Sequence, residues 1–284
     1  MGLLVGFVVG LTGMGGGALM TPLLVLLFHV QPLAAVSSDL VAAVVMKPIG
    51  GSVHLKRGTV DLGLVKWLAI GSVPSAFAGV MILRSLGSSD AVQDRIKVLL
   101  GIALLVAAVS MVAKATFDRG REPAGEPVRV RPVATLGIGV VGGLIVGMTS
   151  VGSGSLMIVL LLVVYPQLTA RQLVGTDLVQ AVPLVLSAAI GHLLFGDFVF
   201  DLTASLLLGS APGVYIGARV SARANDAAIR PVLATVLTAS ALKLLGVPTA
   251  VVGALLLVAT AAGAVAVLGA RRRRPESAMR PEVG

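Results

Sequence analysis

The chain has 284 residues, of which 56% are hydrophobic and only 12% are charged, and its mean hydropathy is +1.00. Soluble domains have about a quarter of their residues charged, so this chain cannot cover a compact fold with polar surface. The absence of cysteine excludes disulfides, thiolate metal ligands and cysteine nucleophiles. The net charge of +9 is concentrated in short loops and in the basic run 271–274, a distribution typical of membrane topology signals and not of nucleic-acid binding.

The apolar residues form a series of long segments that predict an all-α polytopic membrane protein. Their lengths approach or exceed the roughly 18–20 residues that cross a bilayer, and they lack the period of two expected of barrel strands. The segments are 2–28, 33–55, 63–83, 96–113, 133–165, 172–195, 200–220, 230–245 and 248–269. The first and fifth are too long and too rich in glycine for one ordinary helix. We therefore expect a broken helix or a re-entrant hairpin in each, with breaks at 13–17 and 152–154.

The two broken segments belong to an internal repeat. The run Gly10-Leu-Thr-Gly-Met-Gly-Gly-Gly17 is echoed by Gly147-Met-Thr-Ser-Val-Gly-Ser-Gly154. One constant spacing, the repeat spacing, then separates Asp39 from Asp177, His54 from His192 and Pro74 from Pro212. Paired helix breaks in matching positions of two membrane halves indicate the binding site of a transporter.

The repeat and the loop charges predict the domain organisation. We expect a first membrane repeat at 1–113, a cytoplasmic linker at 114–132, a second repeat at 133–245, a final transmembrane helix at 246–270 and a basic tail at 271–284. The tail places the C-terminus in the cytoplasm of a cell-membrane protein. If each broken segment turns back as a hairpin, each half has three crossings and the halves are inverted repeats. The basic residues of the 84–97 loop oppose this scheme, although Asp90 and Asp94 offset their charge.

Each glycine break is a candidate anion site. A half-helix that starts after a break presents amides without intrahelical acceptors, and these amides carry partial positive charge. Backbone amides and hydroxyls of this kind bind small anions inside membranes. The predicted substrate-binding residues are Thr12, Gly13, Gly15, Gly16, Gly17, Thr149, Gly152, Ser153, Gly154 and Ser155. The alternative is that the glycines only allow close helix packing.

A hydroxyl and a carboxylate follow each break, as Ser38-Asp39 and Thr176-Asp177. Both pairs are predicted near the start of an apolar helix. One interpretation is a helix N-cap. The other is a coupling or gating group that carries a proton or a cation, because acids within membranes are costly and commonly functional. The sequence leaves both interpretations open.

Three further polar residues complete the candidate site. His54 and His192 mark the far ends of the same helices, where a histidine serves as a polar end marker, a gate, a proton relay or a turn-fixing group. Lys47 stands in the middle of its segment and has Val185 as its counterpart, so it must snorkel, line water or pair with an acid, and it is suited to attract an anion. No cluster of metal ligands and no cofactor motif is present in the sequence.

On these residues the chain resembles the TauE/SafE family of sulfite exporters and uncharacterised membrane permeases. The resemblance rests on 10–17, on Thr21-Pro22-Leu-Leu and on Ala35-Val-Ser-Ser-Asp39, and it extends from residue 2 to about residue 268. In the second half Ser150, Ser153 and Val159 replace the residues at Gly13, Gly16 and Pro22. The resemblance implies transport of sulfite, sulfoacetate or related organosulfonates.

Together these observations predict a secondary transporter and not an enzyme. A small anion is expected to bind between the two helix breaks and to move by alternating access. The expected partners are that anion, the lipid bilayer, a coupling proton or cation and a second copy of the chain. A passive anion channel and a non-transporting membrane assembly subunit are the alternatives.

Overall fold

The computed structural model describes residues 3, 6–7, 17–87, 89–117, 128–195, 199–221 and 226–255. Within these residues the protein consists of helices joined by short turns, without a β-strand. The helices that we number are α1 (Gly17–Leu27), α2 (Pro32–Lys56), α3 (Leu62–Ser85), α4 (Asp90–Phe117), α5 (Pro132–Thr149), α6 (Leu156–Val164), α7 (Ala170–Phe195), α8 (Phe200–Ser221) and α9 (Asp226–Leu244), and residues 249–255 are also helical.

The helices follow the apolar segments of the sequence closely. The predicted all-α fold is confirmed, and the fifth segment is divided as expected, since α5 ends at Thr149 and α6 begins at Leu156. Four helices of the described part are long and apolar enough to cross a bilayer, judged by length and composition: Pro32–Lys56, Leu62–Ser85, Pro132–Thr149 and Gln172–Phe195. The chain is therefore a multi-pass helical membrane protein.

The fifth segment forms a hairpin. The Tyr165 hydroxyl, just after α6, accepts the Arg131 amide at 2.8 Å and lies beside Thr135 in the first turn of α5. Halfway along, a side chain added at Gly142 would overlap Met157. Both contacts require α6 to return along α5, so the turn at 150–155 is the tip of a hairpin whose two ends lie together.

A seam of small residues joins α5 to α3. Added Cβ atoms at Gly139, Gly143 and Gly147 would overlap the backbone of α3 at Leu68, Ser72 and Ala76 respectively. The two sets of contacts advance together along the chain, so the helices run parallel. Close backbone approach through small residues is the usual way for helices to associate in lipid.

The same seam occurs a second time. Residues 3, 6 and 7 are helical, and an added Cβ at Gly6 would overlap the Ser210 backbone of α8. An added Cβ at Gly213 would in turn overlap the backbone of Leu3 and Phe7. Since α8 is the counterpart of α3 at the repeat spacing, the packing of α5 on α3 is repeated by the start of the chain on α8.

The repeated helices α2 and α7 lie against each other in opposite directions. Ser37, near the start of α2, contacts His192, near the end of α7. Further along, an added Cβ at Gly51 would lie 3.5 Å from Val179 in the first half of α7. Because α7 is the counterpart of α2 at the repeat spacing, two equivalent helices are packed antiparallel at the centre of the protein.

Local sequence explains where α7 begins, and both central helices continue through an internal proline. Thr169 and Gln172 form a reciprocal cap, since the Thr169 hydroxyl accepts the Gln172 amide at 3.3 Å and the Gln172 side chain accepts the Thr169 amide at 3.0 Å. Neither Pro183 in α7 nor Pro48 in α2 ends its helix. The central pair of helices is thus continuous, whereas the hairpin beside it is broken.

One end of the bundle brings together the connections 56–61, 128–131 and 165–169. The Asp61 amide donates to the Thr176 hydroxyl at 3.1 Å, and an added Cβ at Gly63 would lie 3.1 Å from Val130. The exposed basic residues of this end are Lys56, Arg57, Lys66, Arg129 and Arg131. We call this the basic end.

Candidate functional site

The backbone at the tip of the hairpin adopts unusual conformations, two of which are open only to glycine. Ser150 closes α5 in the left-handed region at φ 59°, and Gly152 and Gly154 follow at φ 128° and 91°. L-residues rarely adopt the last two conformations, so glycine is required at both positions. Thr149 stabilises the turn, because its hydroxyl accepts the Val151 amide at 3.1 Å. We call residues 150–155 the break loop.

Lys47 reaches this loop from the middle of α2. Its side chain is 5% exposed, and its ammonium group donates to the Ser153 hydroxyl at 2.5 Å. The same ammonium interacts electrostatically with the carboxylates of Asp177 and Asp39. Lys47 therefore has a hydroxyl partner from the second half and feels the carboxylate of one aspartate from each half.

Asp39 connects the break loop to α1. One oxygen of its fully buried carboxylate accepts the hydroxyls of Thr21 at 2.9 Å and of Ser150 at 2.6 Å. The other oxygen has no hydrogen-bond partner among the described residues. Three elements, α1, α2 and the end of α5, thus meet at a single carboxylate that retains acceptor capacity.

Asp177 occupies the equivalent place in α7 and is also fully buried. It accepts the Gln180 amide at 3.1 Å, and Gln180 accepts the Ser72 hydroxyl of α3 at 3.3 Å. The N-cap interpretation is wrong for both acids, because each lies two turns inside its helix. Thr176 is likewise internal, and its hydroxyl receives the Asp61 amide.

The two repeated histidines have different surroundings. His54 is partly exposed at the basic end, where its Nδ1 lies 2.9 Å from the Thr59 hydroxyl and fixes the turn after α2. His192 is fully buried and lies between the Ser37 hydroxyl, 2.8 Å from Nδ1, and the Gly147 carbonyl, 2.9 Å from Nε2. The structure brings His192 close to the break loop and leaves His54 apart from it.

Further polar groups near the loop are buried without partners within the described residues. They are the hydroxyls of Ser155, which precedes α6, and of Ser38, beside Asp39. At the start of α6, the Ser155 and Met157 amides donate to Gly152 at 3.3 and 3.2 Å, whereas no acceptor for the Leu156 amide is found in the described part. The Ser155 hydroxyl, the Leu156 amide and the Lys47 ammonium are therefore among the donors available to an anion at the loop.

The predicted site residues of the first half are described only in part. Thr12, Gly13, Gly15 and Gly16 lie outside the described residues, and Gly17 is the first residue of α1. The predicted residues of the second half, Thr149, Gly152, Ser153, Gly154 and Ser155, all lie in or next to the break loop. Of the predicted coupling residues, Lys47 and Asp39 contact this loop directly.

Sequence reasoning missed Thr21, Ser37 and Gln180 as members of the polar network, and it treated Ser150 only as a departure from the glycine pattern. Ser37 and Thr21 stand within the family motif, so their position was a usable signal. Ser150 replaces the glycine at position 13, which marks a place where the two halves differ in chemistry. Gln180 follows Asp177 by one helical turn, the spacing at which side chains meet.

An apolar cavity of about 130 Å³ lies on the other side of the break loop, between α4 and the hairpin. Ile102, Val106, Met148 and Leu156 contribute to its wall. This wall offers few donors to an anion, so the polar side of the loop, facing α2, is the better candidate. The described residues contain no group of three or more acidic or histidine side chains that could hold a metal ion.

The fold and site define a polytopic helical membrane protein with buried charges gathered at a helix break. The family model "Sulfite exporter TauE/SafE" matches residues 1–244, and the chain belongs to this family. It is 41% identical over 249 residues to the "Probable membrane transporter protein YjnA" of Bacillus subtilis (strain 168), a match that covers 86% of this chain and 97% of the relative.

Two other proteins of the same organism are more distant relatives. The "Probable membrane transporter protein YdhB" is 23% identical over 217 residues, covering 76% of this chain and 86% of its own length. The "Probable membrane transporter protein YunE" is 25% identical over 250 residues, covering 79% and 86%. No solved structure matches the chain.

Proposed function

We propose that this protein is a secondary transporter of small anions, with sulfite, sulfoacetate and related organosulfonates as its substrates. The observation that carries the proposal is the hydrogen bond from Lys47 to Ser153 in the break loop. It places a buried cation at the N-terminal end of α6, where the helix dipole also favours negative charge. The family model and the names of the relatives support transport, and "sulfite exporter" in the family description supports the substrate class.

The charges around the loop make anion binding and proton binding interdependent. Lys47 carries one positive charge, whereas Asp39 and Asp177 together carry two negative charges when both are ionised. An anion that approaches Lys47 therefore meets net repulsion unless a proton is taken up nearby, because charges in a medium of low dielectric interact strongly. We infer that the substrate anion moves together with a proton, and that Asp39 and Asp177 take part in this coupling.

Alternating access is supported by the antiparallel packing of α2 and α7. Two equivalent helices that run in opposite directions are expected of inverted repeats, in which an axis in the membrane plane relates the halves. Corresponding small-residue seams, α5 on α3 and the start of the chain on α8, agree with this relation. Lys47 lies one turn before the contact of Gly50 with Leu178 of α7, so both halves can share one cation.

We propose a cell-membrane location with the basic end and the C-terminus in the cytoplasm. The basic end gathers exposed lysines and arginines from the connections 56–61 and 128–131 and from the start of α3, and such residues are retained on the cytoplasmic side. The tail that carries Arg271, Arg272, Arg273 and Arg274 follows the same rule. Both ends of the α5–α6 hairpin then face the cytoplasm.

Transport by the purified protein in liposomes tests the proposal. Uptake of labelled sulfite and sulfoacetate should saturate, and, with the membrane potential held at zero, vesicles loaded with the same anion should take it up faster, which a passive channel would not show. Lys47→Met should reduce uptake by about 10- to 100-fold, because a hydrogen bond to a charged group contributes about 1.5–3 kcal/mol. Lys66→Met, at the exposed basic end, is the matched control and should transport normally.

Two results would contradict the proposal. One is the absence of uptake for every sulfur oxyanion and carboxylate tested with folded protein. The other is normal saturable uptake by Lys47→Met, which would remove the cation from the site. Thermal unfolding of each variant in detergent shows whether the loss of uptake reflects misfolding.

A further inference from the structure

His192 is held by one partner whose chemical role is fixed. The Gly147 carbonyl, 2.9 Å from Nε2, can only accept a hydrogen bond, so Nε2 carries a hydrogen in every state in which this contact exists. Any change in the protonation of the ring must then occur at Nδ1. The atom that faces Nδ1, at 2.8 Å, is the hydroxyl oxygen of Ser37.

Ser37 can serve either protonation state of the ring. Its oxygen also lies 2.8 Å from the Leu33 carbonyl, one turn earlier in α2. When the hydroxyl donates to Nδ1, the imidazole is neutral. When a proton from water binds at Nδ1, the hydroxyl rotates, donates to the Leu33 carbonyl and accepts from Nδ1–H. Both states of the buried His192 are therefore fully hydrogen-bonded, which is unusual for a charged group without an ion pair.

The fold itself does not require this arrangement. The residue equivalent to Ser37 in the other half is Gly175, one repeat spacing later, and an added Cβ there would lie 3.0 Å from Nδ1 of His54. The contact between one helix near its start and the histidine of the other thus occurs twice. Ser37 supplies a hydroxyl in one copy, and Gly175 supplies none in the other. Where the hydroxyl is missing, the histidine turns to Thr59 of its own loop.

His192 is also close to the proposed anion site. Gly147 precedes Ser150 by one helical turn on α5, and Ser37 lies just before Asp39 on α2. Among the helices packed against α7, α2 contributes Asp39 and Lys47, and α3 contributes Arg84, which lies over the ring of Phe195 at 4.4 Å. Neither α5 nor α6 contains a titratable residue. A charge on His192 would therefore act mainly on the end of α5 and on the break loop.

We propose that His192 is a proton-binding site, filled at Nδ1 through Ser37, and that its occupation strengthens anion binding at the break loop. The second part rests on the proposed transport function, whereas the first does not. The positive charge of a protonated His192 compensates the negative charge of one of the two carboxylates. It also strengthens the hydrogen bond to the Gly147 carbonyl, so the break loop binds an anion more favourably. By linkage, anion binding must then be accompanied by proton uptake at this residue.

Nitrogen-15 NMR of the histidine rings tests the first part directly. The chain contains three histidines, so His29→Gln combined with His54→Gln leaves His192 as the sole labelled ring. We expect the Nε2–H tautomer at alkaline pH and conversion to the imidazolium as the pH falls, without unfolding. A ring that remains neutral throughout, or one that shows the Nδ1–H tautomer, would overturn the proposal.

Sulfite and sulfoacetate binding, followed by thermal stabilisation at several pH values, tests the second part. Binding by the unaltered protein should tighten by on the order of tenfold between pH 8 and pH 6. His192→Gln, which retains an amide donor for Gly147, should bind with much less dependence on pH, and Ser37→Ala should show the same loss. His54→Gln is the matched control and should keep the original pH profile.

The outcomes separate the two proposals. If no anion binds at any pH while the ring titrates, the transport function fails and the proton site stands. If anions bind and His192→Gln keeps the full pH dependence, the coupling through His192 is wrong. Should His192→Gln fail to fold, Ser37→Ala and the NMR titration still decide the matter.

Discussion

Helices α2 and α7 are equivalent in the internal repeat, and the residues in which they differ show which half supplies each functional group. Both are long, both contain an internal proline, and both place a buried aspartate two turns from their start. Yet α2 carries Lys47 where α7 has the buried Val185, and α2 supplies Ser37 where α7 has Gly175. The backbone framework is thus duplicated, whereas the cation and the hydroxyl come from one copy only.

The small-residue seams, unlike Lys47 and Ser37, are present in both halves. Glycine allows close approach of α5 to α3 and of the start of the chain to α8, so this feature is kept in both halves. Packing is therefore the property that the halves share, and polar chemistry is the property in which they differ. Substitutions in the seams and in the polar network separate these two properties.

The largest effect is expected in the α3–α5 seam. Gly147→Val would overlap the Ala76 backbone, which cannot move without displacing α3, so we expect a loss of about 3 kcal/mol or more in stability. Gly137→Ala in the same helix is the control, since nothing lies within 4 Å of its added Cβ. Thermal unfolding in detergent measures both. Equal melting temperatures would show that the seam is loosely packed.

A smaller effect is expected at Ser150, where the second half departs from the glycine of the first. Ser150→Ala loses the hydrogen bond to Asp39 and keeps the left-handed backbone, at a cost of about 1.5–3 kcal/mol. Ser150→Gly loses the same bond but relieves the backbone, so it should be more stable than the alanine variant by about 1 kcal/mol. Unfolding midpoints in denaturant give the order.

Ser52→Ala, an exposed serine of α2 that donates only to its own helix, controls for the loss of a hydroxyl. It should remain within about 0.5 kcal/mol of the unaltered protein. Should Ser150→Ala be equally harmless, Asp39 would not hold α5 in place.

The smallest effect is expected at the turn after α2. Thr59→Val removes the partner of His54 in a partly exposed turn, so the cost should be about 1 kcal/mol or less. Ser37→Ala removes the hydroxyl that faces Nδ1 of His192 in a fully buried place and should cost more, about 1–3 kcal/mol. Melting temperatures of the two variants compare the histidines directly. A reversed order would mean that burial does not distinguish the two contacts.

The sequence predicts the helices and the helix break well, because both follow from local properties. Apolar length locates the helices, and glycines at 152 and 154 mark the break because their backbone excludes other residues. Lys47 and Asp39 were recognised because charge within an apolar helix is rare. These signals need no knowledge of the neighbouring elements.

The partners of these residues could not be predicted in the same way. The repeat suggests equal roles for His54 and His192, whereas their surroundings depend on which helix packs against each of them. The cap interpretation of Asp39 and Asp177 was wrong because α2 and α7 begin earlier than the serine and threonine suggested. The link from Asp39 to Ser150 joins residues 111 positions apart, a contact that one sequence does not reveal.

That long separation has a consequence for synthesis of the protein. Asp39 and Lys47 enter the membrane with α2, whereas Ser150 and Ser153 are translated 111 and 106 residues later. At about 5–20 residues per second, α2 spends roughly 5–20 s without the groups that receive its charges. During this interval we expect the insertion machinery to shield the charged side chains of α2. A chain truncated before the break loop would keep these charges unpaired and would be degraded by membrane proteases.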